Sequence, residues 1–213
     1  GAAGASVEAA VAQLASGFDA AARISPDASV ALYSLGDPTL LAAATAELVA
    51  WIRQAGLLGA DRRLLDIGCG AGRLEVALHG DVGRIVGIDV SAELLAVARR
   101  RCRGLGNVEL RRGSGLDLGG LPDNDFDAVI AVDSFPYLVA AGGDLAARHF
   151  AESARVLRPA GDLVIFNYSY RGAPTLDRND VGALGAAAGF RVVENGGRPF
   201  VLWDGAVFRL VRR

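Results

Sequence analysis

Lysine and methionine are absent from this 213-residue chain, and cysteine and histidine occur only twice each. Cys69 and Cys102 are too few for a disulfide framework or a zinc cluster. With His79 and His149 as the only histidines, a histidine-rich metal site is excluded as well, and no metal is expected. No apolar run approaches the roughly 20 residues that span a bilayer. Nor does the chain open on a basic segment followed by a short apolar stretch and a cleavage site. A soluble, cytoplasmic protein without a membrane partner is expected. The net charge is −2, so there is no electrostatic footprint for nucleic acid. All 22 basic residues are Arg, while Ala and Gly abound, a pattern of coding bias rather than chemistry. With no Met and Gly1 first, the natural N-terminus is expected upstream. What is present is 52% hydrophobic and 22% charged, a balance that excludes a disordered or fibrous chain and suffices for one domain with a real core.

Two textures divide the chain. Residues 1–60 contain helical patterns only. Val7, Val11, Leu14 and Phe18 recur at spacings of three and four, which places them on one helical face. A break follows at Ser25-Pro26-Asp27. A second helix is predicted from Pro38, suited to a first turn, to about Ala55, with Leu41, Ala44, Leu48 and Ile52 inward. From Arg62, short runs of Val, Ile and Leu alternate with helical stretches. Strands are predicted at 64–67, 84–89, 108–112, 127–132 and 163–166, with helices at 73–79, 91–103 and 145–157. Such alternation argues for a parallel sheet covered on both faces. The end differs, because 191–194 and 206–211 are strand-like with no helix between them. Asp204-Gly205 is a hairpin signal, so the last strand is expected to be antiparallel.

The chemistry concentrates at Asp66-Ile-Gly68-Cys69-Gly70-Ala71-Gly72-Arg73, which leaves a strand and enters a helix. Glycines there let the backbone turn tightly and approach a ligand without a Cβ clash. Asp89 ends the next strand, 19 residues beyond Gly70, where a carboxylate can accept both hydroxyls of a ribose. A dinucleotide fingerprint would place its third glycine at position 73, which is Arg73 here. The spacing is Gly-x-Gly-x-Gly instead. It suits a ligand whose charged amino acid end uses a looser turn together with a carboxylate such as Asp66.

Leu-Leu-Asp-Ile-Gly-Cys-Gly-Ala-Gly-Arg (64–73) resembles the first motif of class I S-adenosylmethionine-dependent methyltransferases. Val-Gly-Ile-Asp-Val-Ser (86–91) resembles their second motif. Residues 107–118 resemble the third strand and adenine loop, 125–130 the fourth strand, and Arg-Val-Leu-Arg-Pro-Ala-Gly (155–161) the turn into the fifth. The resemblance spans about residues 60–170 with five motifs in order. It implies a Rossmann-like α/β fold with a seven-stranded sheet in the order 3-2-1-4-5-7-6, strand 7 antiparallel. An N-terminal helical cap (1–60) would lid a cofactor-binding core (61–213). It also implies S-adenosylmethionine as cofactor, S-adenosylhomocysteine as product, and transfer to an oxygen or nitrogen of a small molecule.

The resemblance further implies that Asp66, Gly68, Cys69, Gly70, Gly72 and Arg73 border the methionine part of the cofactor, and that Asp89 with Val90 holds the ribose. Ser114 stands where the family usually has the Asp that faces the adenine amine. Gly115 and Leu116 are then expected to carry that contact through the main chain, with Leu116 packing on the ring, and Val132 is a further expected cofactor contact. Ligands in open parallel sheets lie beyond the carboxyl ends of the strands. The segment after strand four offers Asp133 and Tyr137 to orient or deprotonate a nucleophile. The segment after strand five offers Asn167, Tyr170 and Arg171, with Arg171 suited to a substrate carboxylate; Tyr33 is a further candidate contact. His149 shares a mixed face with Ala146, Ser153 and Val156 and reads as a half-buried structural residue. Cys69 reads as a small packing residue, and Trp203 fits either the core or the pocket. Two alternatives are a nicotinamide-dependent oxidoreductase and a non-catalytic protein that binds the cofactor.

Overall fold

The computed structural model describes residues 6–27 and 37–213; Tyr33 lies outside them. Helix α1 (Val7–Ile24) starts where the Ser6 hydroxyl accepts the Ala9 amide. Helix α2 (Pro38–Gln54) starts where the Asp37 carboxylate accepts the amides of Thr39 and Leu40. Both caps satisfy donors that a helix start leaves free, and Pro38 in the first turn costs no hydrogen bond. The remaining order is β1 (Gly59–Ile67), α3 (Arg73–Leu78), β2 (Val82–Asp89), α4 (Ala92–Arg101), β3 (Val108–Arg112), β4 (Phe126–Val132), α5 (Phe135–Ala141), α6 (Leu145–Val156), β5 (Leu157–Phe166), α7 (Pro174–Ala187), β6 (Phe190–Gly197) and β7 (Val207–Arg212).

The seven strands form one sheet in the order β3-β2-β1-β4-β5-β7-β6. Leu65 pairs with Val86 on one side and Val129 on the other, both parallel, while β7 runs antiparallel to β5 and β6. This is the order expected from the sequence. Successive side chains of a strand point to opposite faces, so Leu64 and Leu65 enter different cores. Leu65, Ile67, Ile88 and Val129 meet Phe135, Phe150 and Val181 from α5, α6 and α7. On the other face Leu64, Ile85 and Ile130 meet Leu48 and Ile52 of α2 and Leu74 and Leu78 of α3. Leu48 and Ile52 are wholly buried, and each such side chain contributes roughly 1.5–3 kcal/mol.

Three local readings need correction. Helix α7 has no signature in the sequence pattern, because only Asp177, Val181 and Gly185 along it are buried, which makes no apolar stripe. Strand β5 starts at Leu157, opposite Phe126, and resumes regular pairing at Asp162 after a bulge; Ala160 there has φ +63°. The segment at 158–161 is therefore part of the strand rather than a turn ahead of it. Finally, β6 and β7 are joined by residues 198–206 rather than by a tight turn at Asp204-Gly205. A Cβ on Gly205 would fall within 2.1 Å of the Trp203 ring, so this glycine makes room for a buried indole.

Candidate cofactor and acceptor site

The carboxyl ends of β1, β2 and β4 converge on one cavity of about 130 Å³. From β1 the chain turns at Gly68 with φ +81° and Gly70 with φ +53°, a region that side chains disfavour. A Cβ on Gly68 would lie 2.6 Å from Ser134 Cβ, so the turn also needs the missing side chain for space. The Gly70 amide donates to Asp89 Oδ2 at 2.8 Å, and the Ser91 amide to Asp89 Oδ1 at 2.8 Å. A carboxylate has about four acceptor sites, which leaves Asp89 two for ribose hydroxyls. Burial pushes the Asp89 carboxyl above its ordinary range.

Behind the loop lie two buried carboxyl groups. Asp66 is 3% exposed and Glu75 is wholly buried. Neither Glu75 oxygen has a protein hydrogen-bond donor. Burial pushes Asp66 up to about 7, and burial together with the Asp66 charge pushes Glu75 well above the carboxylate range. Glu75 therefore keeps its proton and can offer it to Asp66. Three neighbours expected at the ligand are turned elsewhere. A Cβ on Gly72 would lie 3.0 Å from Ala98 Cβ and 3.3 Å from Cys102 Sγ, so Gly72 serves the packing of α3 against α4. Arg73 donates to Thr45 Oγ1 of α2 at 3.3 Å. Cys69 is buried, its thiol raised by that burial. None of Asp66, Cys69, Gly72 and Arg73 lines the cavity, whereas Gly68, Gly70, Asp89, Val90, Gly115 and Val132 do.

Helix α1 covers this cavity with Val11, Leu14 and Phe18, the face that its periodicity predicts. Asp19 anchors it to α4 by accepting the Ser91 hydroxyl at 2.5 Å and the Glu93 amide at 3.1 Å. Arg23 adds an ion pair to Glu93 at 3.0 Å. Ser114 and Leu116 are not on the wall. The Ser114 hydroxyl donates to Asp117 Oδ1 at 3.1 Å and accepts the Leu116 amide, which turns it away; Asp117 lines the cavity in its place. His149 is also in the wall and is 2% exposed, more buried and better placed than its mixed helical face suggested. No linear signal joins it to Asp117.

Beyond β4, Asp133 and Tyr137 line the cavity together with Ser134. Asp133 has φ +55° and Asn167, at the end of β5, φ +65°, and the two are locked together. Asn167 Nδ2 donates to Asp133 Oδ1 at 2.6 Å, the Tyr170 hydroxyl to the same oxygen at 3.0 Å, and Trp203 Nε1 to Oδ2 at 3.2 Å. Three donors leave Asp133 about one lone pair for a further partner. Tyr137 stands edge-on to Phe18 at 5.0 Å and to Tyr170 at 6.0 Å, and burial raises its hydroxyl. Trp203 belongs to the core, 1% exposed against Phe166 and Phe200. Arg171 is corrected. It pairs with Asp177 at 2.7 Å and Asp180 at 2.8 Å on α7, so its fork is engaged away from the cavity. Asn167 and Tyr170 do not line the cavity themselves; both hold Asp133, and Tyr170 also packs edge-on to Tyr137.

The residues present fit the cofactor that the motifs imply: a turn closed to side chains, a half-free carboxylate at the end of β2, and a buried Ser134 Oγ without a protein partner. Residues 65–165 match the Methyltransferase domain family. The chain is 33% identical over 111 residues to the demethylmenaquinone methyltransferase of Tropheryma whipplei, a match covering 52% of this chain and 44% of that enzyme. A SAM-dependent methyltransferase from Aquifex aeolicus superposes with TM-score 0.59 at 26% identity, over 84% of this chain and 94% of that one. The magnesium protoporphyrin IX methyltransferase of Synechocystis shares the fold over the full length of both chains, with TM-score 0.69 at 19% identity. The sheet order is that of class I S-adenosylmethionine-dependent methyltransferases, and residues 65–165 form a methyltransferase domain. It spans about half the length of the curated relatives it matches.

Proposed function

We propose that this protein transfers the methyl group of S-adenosylmethionine to an oxygen or nitrogen of a small-molecule acceptor, without a metal. The observation that carries the reading is the cavity itself. It runs from the Gly68–Gly70 turn and Asp89, past apolar walls from α1, to Asp133 and Tyr137 beyond β4. Bound S-adenosylmethionine supplies a methyl group made electrophilic by its sulfonium. In the reading proposed here, Asp89 accepts the ribose hydroxyls, the amides and open backbone of Gly68 and Gly70 take the methionine end, and Val90 packs on the base. Helix α1 acts as the cap, while α2 of the N-terminal segment packs on the opposite face of the sheet and belongs with the core.

Methyl transfer needs alignment and exclusion of water more than covalent help from the protein. Val11, Leu14 and Phe18 exclude water. Asp133, fixed by Asn167, Tyr170 and Trp203, offers its remaining lone pair to the acceptor's O–H or N–H. The Tyr137 hydroxyl donates to or accepts from the same acceptor group. A net charge of −2 disfavours a polyanionic substrate, which supports a small molecule over RNA. Calorimetry with S-adenosylhomocysteine, followed by label transfer from methyl-labelled S-adenosylmethionine across hydroxyl and amine acceptors, tests the proposal. Binding and turnover are expected. Binding without turnover on any acceptor would favour a non-catalytic cofactor-binding protein.

A further inference from the structure

Beside the cavity lies an open groove of about 580 Å³ between α1 and α5. Small side chains form much of it, Ala10, Gly17 and Ala21 from α1 with Ala140 and Ala141 from α5. Leu14, Phe18 and Tyr137 line both the groove and the cavity, so the two spaces share one wall. In that wall the Phe18 and Tyr137 rings meet edge to face at 5.0 Å. No charged side chain lines the groove among the described residues, and its polar side chains are Gln13 and Tyr137. Gly17 stands in the middle of α1, where glycine weakens a helix. Neither of the common reasons for a glycine applies to it. Its φ is not positive, and a Cβ there would meet nothing within 4 Å. What the missing side chain does is keep the groove open.

With the cofactor in the cavity, the body of an acceptor has to lie outside it, and only the nucleophilic atom must approach the methyl group. The groove meets the cavity at Tyr137. Asp133, in the cavity wall, keeps about one lone pair for the proton of that atom. A charge is costly to bury without a partner, and the walls of the groove offer none. Aromatic rings pack favourably edge-on or offset against other rings, and Phe18 and Tyr137 present two at the shared wall. We propose that the groove between α1 and α5 holds the body of the methyl acceptor, and that this acceptor is an apolar ring compound, uncharged away from its nucleophilic hydroxyl or amine. The inference deepens the methyl-transfer reading given above and rests on it.

The test is calorimetry on the full chain saturated with S-adenosylhomocysteine. The probes are naphthol and two naphthols that carry a carboxylate or an aminomethyl group on the ring remote from the hydroxyl. Naphthol should bind at least about tenfold more tightly than either charged form. Gly17→Leu and, from the facing wall, Ala140→Leu each put a side chain into the groove. Each should weaken naphthol binding at least about tenfold and leave S-adenosylhomocysteine affinity within about threefold of wild type. Thermal unfolding verifies each variant, and because the two positions lie on different helices, a variant that fails to fold leaves the other. Absence of naphthol binding, a smaller preference over the charged forms, or undiminished naphthol affinity in the folded variants overturns the inference and leaves the cofactor reading standing. Light scattering that finds a dimer in wild type and a monomer in Gly17→Leu would give the groove to a second copy of the chain, which overturns it as well. Failure of wild type to bind S-adenosylhomocysteine would remove the cofactor reading, and the inference with it.

Discussion

Replacing Glu75 by Gln changes one buried atom type, and its effect on stability should grow with pH. Glu75 is wholly buried on α3 and has no donor for either oxygen. Burial and the neighbouring Asp66 raise its folded-state pKa well above the ordinary value, whereas in the unfolded chain it titrates near about 4.3. A raised folded pKa means stability that is complete below the unfolded pKa and is lost as pH rises toward the folded one. Over that window the native state holds one proton more than the unfolded state, so wild type loses about 1.4 kcal/mol per pH unit. Gln does not titrate and fills the same volume. Between pH 5 and 7 the variant should thus gain about 3 kcal/mol on wild type as a ceiling. For a chain of this size that corresponds to roughly 6–12 °C in Tm. Urea and thermal unfolding of both proteins at pH 5, 6, 7 and 8 measure the gap. A gap that does not change with pH would mean that Glu75 is already ionised in the fold, and that burial does not hold its proton.

Three further outcomes follow from the site. Asp89→Ala removes two charge-assisted bonds to ribose hydroxyls and should weaken S-adenosylhomocysteine binding at least about tenfold by calorimetry; an unchanged affinity would take Asp89 out of the site. Asp133→Ala strips the partner from the buried Trp203 N–H and from Asn167 and Tyr170. It should cost about 1–3 kcal/mol in urea unfolding and depress methyl transfer, and full activity would show that Asp133 only holds the loops. Arg171→Ala should leave cofactor affinity within about threefold and transfer unaltered, since the guanidinium is committed to Asp177 and Asp180; a large fall in kcat would return it to the acceptor side.

Most of the sheet was legible in the linear chain because its information is local. A strand buried on both faces is predominantly apolar, as in Ala128 to Ala131, and a turn at positive φ favours glycine, as at Gly68 and Gly70. Asp89 was legible for the same reason, since its distance from the turn is set by one helix and one strand. Helix α1 declared its apolar face by periodicity, and that face is the one over the cavity. Where a rule of local pattern had nothing to act on, the reading failed. Helix α7 buries too few side chains to write a stripe, and the bulge at 158–161 looks like a turn.

The direction in which a side chain points was decided only by tertiary structure. Gly72 belongs to the same motif as Gly68, yet it faces Ala98 and Cys102 because α4 crosses there. Ser114 stands at the adenine position but turns to Asp117, three residues on. Arg171 stands at a strand end where a substrate anion would lie, and is neutralised by Asp177 and Asp180 of a helix that the sequence concealed. His149 reads as an ordinary core histidine until α6 is laid against the loop after β3. The linear chain determines backbone geometry through steric and solvation rules that act over a few residues. Hydrogen-bond partners and charge partners are chosen across the fold, among groups that lie dozens of residues apart until the sheet brings them together.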